Sequence, residues 1–197
     1  MIPRAYIQAW RAHAPWPSEA QVEQDLIICR ALCDLFSAPA LAGKIAFRGG
    51  TAIHKLLFEK PLRYSEDIDL DQTRAEPIGP MVDAIRGALA WLGKCQREQA
   101  GHSMHLVFRF APDSAQQARL KLKVEINTRE HHTLLGHRRY PFAIASDWYS
   151  ARAEIVSFGP RSFSSPNSAR CCKGARTAIC STCITGSRSS NWMPAAS

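Results

Sequence analysis

A chain of 197 residues with 46% apolar residues and a formal net charge of +8 is long enough to bury one real core, alone or followed by a tail. No run approaches the roughly 18 uninterrupted apolar residues of a membrane span, and the start, Met1-Ile2-Pro3-Arg4 through Pro15-Trp16-Pro17, has no apolar signal segment. These exclude a helical membrane protein and point to a cytoplasmic one, in which seven cysteines read as reduced thiols rather than as a disulfide framework.

Ser18-Glu19-Ala20-Gln21 has the form of a capping box. It opens a helix over residues 18–37, whose stripe is Val22, Leu26, Cys29, Leu32, Cys33 and Phe36, at three- and four-residue steps. Trp10 and Trp16 precede this helix and would cap the domain; Cys29 and Cys33 would be core thiols. Pro39 closes the region. Ile45-Ala46-Phe47 reads as a short strand feeding a tight turn at Gly49-Gly50, followed by a helix over 51–58 with Ile53, Leu56 and Leu57 inward. After a loop over 61–65, Ile68 and Leu70 alternate with Asp67, Asp69 and Asp71, a strand with one apolar and one acidic face.

A second amphipathic helix spans 77–92 on Ile78, Val82, Ile85, Leu89 and Leu92. Residues 105–110 and 120–127 alternate as paired strands, joined by a polar loop with Pro112 and Asp113, and a further strand lies near 154–158. The fold class is α/β (α+β): a small mixed sheet flanked by helices, over residues 1–158. Residues 159–197 differ. They contain no Asp or Glu, carry Arg161, Arg170, Lys173, Arg176 and Arg188, and hold four of the seven cysteines. They read as an irregular, disordered basic tail. A rival reading gives Cys171-Cys172 and Cys180-x-x-Cys183 to a Zn²⁺ site, against the awkward spacing of an adjacent pair.

The chemistry lies in the middle of the chain. Asp67 and Asp69, two apart on a strand, face the same way. Their charges repel unless a cation sits between them, and hard carboxylate oxygens suit Mg²⁺ or Mn²⁺. Nucleotidyl transfer needs such a pair, because the cation neutralises a triphosphate and aligns the attacking hydroxyl with the α-phosphate. Glu125, flanked by Val124 and Ile126, is a natural third ligand on a later strand. The Gly49-Gly50-Thr51 turn lets backbone approach a phosphate, and a helix start favours an anion. Ser65 would donate a hydroxyl there, and Arg48, Lys55 and Arg63 would add positive charge. His131, His132 and His137 sit among Arg129, Arg138 and Arg139 and read as phosphate- or solvent-facing loop residues rather than metal ligands.

The order of these pieces is that of the polymerase-β-like nucleotidyltransferase superfamily. Phe47-Arg48-Gly49-Gly50-Thr51-Ala52-Ile53-His54-Lys55-Leu56 and Arg63-Tyr64-Ser65-Glu66-Asp67-Ile68-Asp69-Leu70 resemble the AbiEii/AbiGii toxin family of bacterial nucleotidyltransferases. The resemblance extends more loosely over residues 21–158. It implies a toxin of a toxin–antitoxin pair that uses an NTP and Mg²⁺ to modify RNA, with tRNA acceptor ends as one target and a cognate antitoxin as partner. It further implies that Gly49, Gly50 and Ser65 hold the triphosphate and that Asp67 and Asp69 hold metal.

The family continues into a helical part with a Lys-Leu-Arg-Ala-like helix and an Arg-Asp-x-x-Asp-Leu-like motif, and neither stands in 159–197 as written. Taken one base out of frame from the codon of Pro160, with synonymous codon choices throughout, the tail reads as both motifs in order. That predicts a reading-frame slip near Gly159. Two other functions stay open at this point: a catalytically dead remnant that binds NTP or antitoxin without turnover, and a basic RNA-binding module without a nucleotide site.

Overall fold

The structure, a computed structural model, describes residues 2–58, 63–101, 103–110, 120–129, 131 and 136–159. The tail with Cys171, Cys172, Cys180 and Cys183, the loop residues Pro61, Pro112 and Asp113, and His132 lie outside the described residues.

Helix α1 (Arg4–Trp10) starts after Pro3, whose fixed φ suits a helix entrance. It was not expected from the sequence. Helix α2 (Glu19–Ser37) opens on the capping box: Ser18 Oγ accepts from the Gln21 N–H, and the Gln21 side chain accepts from the Ser18 N–H, both at 3.2 Å. Its Val22, Leu26, Leu32 and Cys33 are fully buried and Cys29 nearly so, as the stripe required; each large aliphatic side chain so buried contributes roughly 1.5–3 kcal/mol. A 3₁₀ turn at Pro39–Leu41 leads into β1 (Ile45–Arg48).

No separate turn follows β1. Helix α3 (Gly49–Leu57) begins at Gly49 itself, with Arg48 in the capping position. Strand β2 (Asp67–Gln72) comes next, then α4 (Ile78–Ala88). That helix is shorter than the 77–92 expected: the backbone leaves helical geometry at Leu89 and passes through a 3₁₀ turn, Ala90–Leu92, into Gly93 at φ +87°, a conformation glycine adopts without steric cost. The remaining strands are β3 (Cys95–Ala100), β4 (Ser103–Phe110), β5 (Leu120–Asn127), β6 (His137–Ala145) and β7 (Ser150–Phe158). β3 and β6 add to the expected set, and β7 starts four residues before 154.

The strands form one sheet in the order β3-β4-β5-β2-β1-β7-β6. β2 lies parallel to β5 and antiparallel to β1, and β1 is parallel to β7. Helix α2 packs against β5, β6 and β7, α1 lies on α2, and α3 lies against β1 and β2. Ile68, Leu70, Val124 and Ile126 sit in the buried core. Strand alternation therefore turns Asp67, Asp69, Glu125 and Lys123 to the other face. Among the described residues no helix is long and apolar enough to cross a membrane.

Candidate active site

The central position of β2 assembles the site. In register, Asp69 stands opposite Arg48 of β1 and beside Glu125 of β5, while Asp67 stands beside Lys123. Neighbouring strands run about 4.8 Å apart, so three carboxylates from two strands share one patch. A cavity of about 480 Å³ opens over them, lined by Arg48, Gly50, Thr51, Arg63, Ser65, Asp67, Asp69 and Glu125 together with Tyr64, Glu66, Lys123 and Asn127. Eight of the ten residues singled out in the sequence thus line one hollow; Lys55 does not. Gly49 lies against Asp69.

Gly49 is fixed by geometry. Its φ is +80°, and a Cβ built there would stand 2.3 Å from Asp69 Oδ2. Only glycine reaches the left-handed region freely, and only a bare Cα leaves room for the carboxylate. At Gly50 a Cβ would meet the Arg63 guanidinium at 3.2 Å, so Arg63 lies over the first turn of α3.

Two cations do not stand as the sequence suggested. Lys55 turns away from the cavity toward α2. Its ammonium lies 2.7 Å from Asp25 Oδ1 and 3.3 Å from Cys29 Sγ, with only 14% of the side chain exposed. Burial opposes that charge, but Cys29 and Asp25 outweigh it and raise the Lys55 pKa; burial likewise pushes the Cys29 thiol up to about 12. Asp25 also accepts from Trp10 Nε1 at 3.1 Å and Trp16 Nε1 at 3.5 Å. The two tryptophans therefore close a buried polar knot. Trp16 also meets Tyr64 of the cavity edge-on, with ring centroids 6.0 Å apart. Arg48 does line the cavity, but its guanidinium is paired with Asp71, which also accepts from Asn127 Nδ2 at 2.9 Å.

Lys123 is the residue that sequence reasoning passed over. Its ammonium lies 3.2 Å from Glu125 Oε2 and 3.8 Å from Asp67 Oδ2. Burial would lower the Lys123 pKa, but Asp67 and Glu125 raise it. Conversely, burial would raise the Glu125 carboxyl, and Lys123 and His105 bring it below its ordinary value; His105 Nε2 lies 3.4 Å from Glu125 Oε2. At Asp69 the relief from Arg48 and Lys123 is outweighed. Burial, then the charges of Glu125 and Asp67, push its pKa up to about 6. Such a group is short of a cation.

As the side chains stand, no three His, Cys, Asp or Glu donors among the described residues converge on a single point. The donor set nevertheless fits a hard divalent ion by type: three carboxylates in register, one strained toward protonation, with Lys123 standing as a cation between two of them. Among the described residues the histidines form no metal cluster. His131 Nδ1 lies 2.9 Å from the Gln72 carbonyl oxygen, His137 packs on Phe158, and His105 serves Glu125.

A strand that turns directly into a helix at Gly-Gly, above an acid-x-acid strand in register with a third acid, defines the nucleotidyltransferase class of fold. Residues 30–161 match the family described as "Nucleotidyl transferase AbiEii toxin, Type IV TA system", and the chain belongs to that family. Among solved structures it is similar to MenT4, a nucleotidyltransferase toxin from Mycobacterium tuberculosis H37Rv, at 13% identity over 81% of this chain and 56% of that one, with a TM-score of 0.49. It is also similar to JHP933 from Helicobacter pylori, at 17% identity over 68% of this chain and 52% of that one, with a TM-score of 0.45. The chain spans about half the length of the solved structures it matches. No match is found among curated proteins.

Proposed function

We propose that this chain transfers a nucleoside monophosphate from an NTP to an RNA acceptor, with tRNA first among candidates, as the toxin of a toxin–antitoxin pair. The observation that carries this reading is the juxtaposition of Asp67, Asp69 and Glu125 across the parallel β2–β5 pair, beside the glycine-opened start of α3. Asp67, Asp69 and Glu125 would hold Mg²⁺ or Mn²⁺, which supplies charge neutralisation of the triphosphate and alignment of the acceptor oxygen. Gly49, Gly50 and Thr51 offer the backbone and hydroxyl at the helix start to phosphate oxygens; Ser65 and Arg63 reach the same hollow. Arg48 acts by holding Asp71, which keeps that third aspartate of β2 out of the metal set.

In the reaction an acceptor hydroxyl oxygen bonds to the α-phosphorus. The bond from that phosphorus to the bridging oxygen breaks, and pyrophosphate leaves with the electron pair. The hydroxyl proton passes to a neighbouring carboxylate or to water. Purified protein given Mg²⁺ and labelled NTPs should label RNA, and Asp67→Ala or Asp69→Ala should abolish the signal. Labelling that survives both changes refutes the assignment.

The composition of residues 159–197, with no acid, favours one second reading. The chain as written would bind NTP or antitoxin without turnover, while a chain restored to the other frame after Gly159 would carry the Lys-Leu-Arg-Ala and Arg-Asp-x-x-Asp-Leu motifs. Calorimetric binding of NTP with Mg²⁺, without RNA labelling by this chain but with labelling by the restored one, selects it. Sequencing the gene around codon 159 tests the slip: if no frame there encodes the two motifs, the slip is excluded.

A further inference from the structure

Lys123 occupies an unusual place for a lysine. It sits on β5 two residues before Glu125, on the same sheet face, and beside Asp67 in the parallel register. Its ammonium contacts Glu125 and lies within ion-pair distance of Asp67, while Asp69 stands beside Glu125 in the register and two residues from Asp67. Those carboxylates are the set assigned above to a divalent cation. Arg48 is taken by Asp71 and Lys55 by Asp25, and Arg63 lies over Gly50. Lys123 is in direct contact with Glu125 and within ion-pair distance of Asp67.

An ammonium and a divalent metal ion drawn to the same carboxylate oxygens compete for them. A metal coordinated by Glu125 Oε2 and Asp67 Oδ2, the oxygens that Lys123 lies against, would stand close to the ammonium, and close approach of two cations is repulsive. Partial exposure favours exchange: 29% of the Lys123 side chain is exposed and 32% of Glu125, so the lysine has solvent into which to swing. It stays tethered at the rim of the cavity that would receive the triphosphate.

We propose that Lys123 is an internal counter-ion which competes with the divalent cation for Asp67 and Glu125, holding the acid set together until the metal displaces it. This rests on the metal-dependent reading above. The competition lowers the intrinsic affinity for metal, and the displaced ammonium becomes available to the anionic nucleotide.

The experiment is calorimetric titration of the full chain with Mn²⁺ alone. Lys123→Met should bind Mn²⁺ at least about fivefold more tightly than the unaltered chain, and Lys123→Arg should bind no more tightly than it. Lys121→Met is the control for general electrostatics, since Lys121 lies two residues away on the same strand face and is exposed; its affinity should change less than about twofold. The same titrations monitored by thermal unfolding should show Lys123→Met less stable than the unaltered chain without metal and restored by Mn²⁺. Unchanged or weaker binding by folded Lys123→Met overturns the proposal, as does equal tightening in Lys121→Met. If Lys123→Met does not fold, Lys123→Arg decides: a fivefold gain there, with charge retained, overturns it. Asp69→Asn separates this from failure of the underlying reading. Mn²⁺ binding untouched by Asp69→Asn removes the metal assignment itself, whereas binding lost in Asp69→Asn but not tightened in Lys123→Met removes only the competition.

Discussion

Replacing Gly49 by alanine tests the site at its tightest point. The added methyl group must adopt φ +80° and would lie 2.3 Å from Asp69 Oδ2, 3.2 Å from its Cγ and 3.3 Å from its Cβ, where carbon contacts are comfortable at about 3.5–4.0 Å. The left-handed backbone costs roughly 1–2 kcal/mol for a residue with a Cβ. Turning the Asp69 side chain off its rotamer adds about 0.5–1.5 kcal/mol. Gly49→Ala should therefore lose about 1.5–3.5 kcal/mol in urea unfolding and roughly 3–14 °C in Tm. Because Asp69 is the group displaced, Mn²⁺ affinity should fall with it. Gly50→Ala is the contrast: its Cβ meets only the flexible end of Arg63, the position is helical, and stability should change by no more than about 1 kcal/mol in either direction. A Gly49→Ala protein within 0.5 kcal/mol of the unaltered chain, with Mn²⁺ binding intact, would refute this account of the strand–helix junction.

Two further outcomes follow from charge. With its pKa raised to about 6 by burial and by Glu125 and Asp67, Asp69 holds a proton in the fold at pH 5 that the unfolded chain has released. This group's contribution thus favours the fold at low pH and is lost as pH rises through 6, by up to about 3 kcal/mol before solvent screening. Metal must displace that proton, so Mn²⁺ affinity should climb about tenfold per unit below pH 6 and level off above it; calorimetry at pH 5, 6, 7 and 8 checks the slope, and a flat profile contradicts it. Lys55→Met leaves Asp25 buried without its cation and should cost about 3–5 kcal/mol in denaturant unfolding, while Lys55→Met combined with Asp25→Asn should recover most of the loss. If the double variant is as unstable as the single one, the Asp25–Lys55 pair is not what Lys55 contributes.

Local signals were legible in the sequence and non-local ones were not. The α2 capping box and its stripe depend on residues within one or two turns, and both stand in the structure as read. The acid face of β2 follows from period-two alternation alone. By contrast β3 carries Gln96-Arg97-Glu98-Gln99, with no apolar alternation, because it is an edge strand exposed along most of its length. β6 is the opposite edge and includes Pro141, which edge strands tolerate. α1 is only seven residues long, too short for a periodic pattern to emerge. Lys55 was misplaced for a rotational reason: it lies within the same motif as Gly49 and Gly50, but the helix carries it round to face Asp25, thirty residues earlier in the chain. Lys123 was illegible because its significance depends on the parallel register of β5 with β2, and nothing in the sequence near Lys123 encodes that register.

The register also explains why this strand can carry three aspartates. Asp67, Asp69 and Asp71 point to one face, and at a spacing of about 6–7 Å per two residues their mutual repulsion would disfavour the strand. Each is met differently by its neighbours. Asp71, at the buried end, is neutralised by Arg48 and bonded by Asn127. Asp67, at the open end, has Lys123 and solvent. Asp69 in the middle has Glu125 at one side and Gly49 against it, and Arg48 opposite it in the register reaches past to Asp71. The gradient runs from a fully compensated carboxylate to one pushed toward protonation, and the strain is concentrated where the cavity opens. A divalent cation at Asp69 would relieve the repulsion that Glu125 and Asp67 impose on it, so the same placement that weakens the metal-free fold would make metal binding and folding mutually reinforcing.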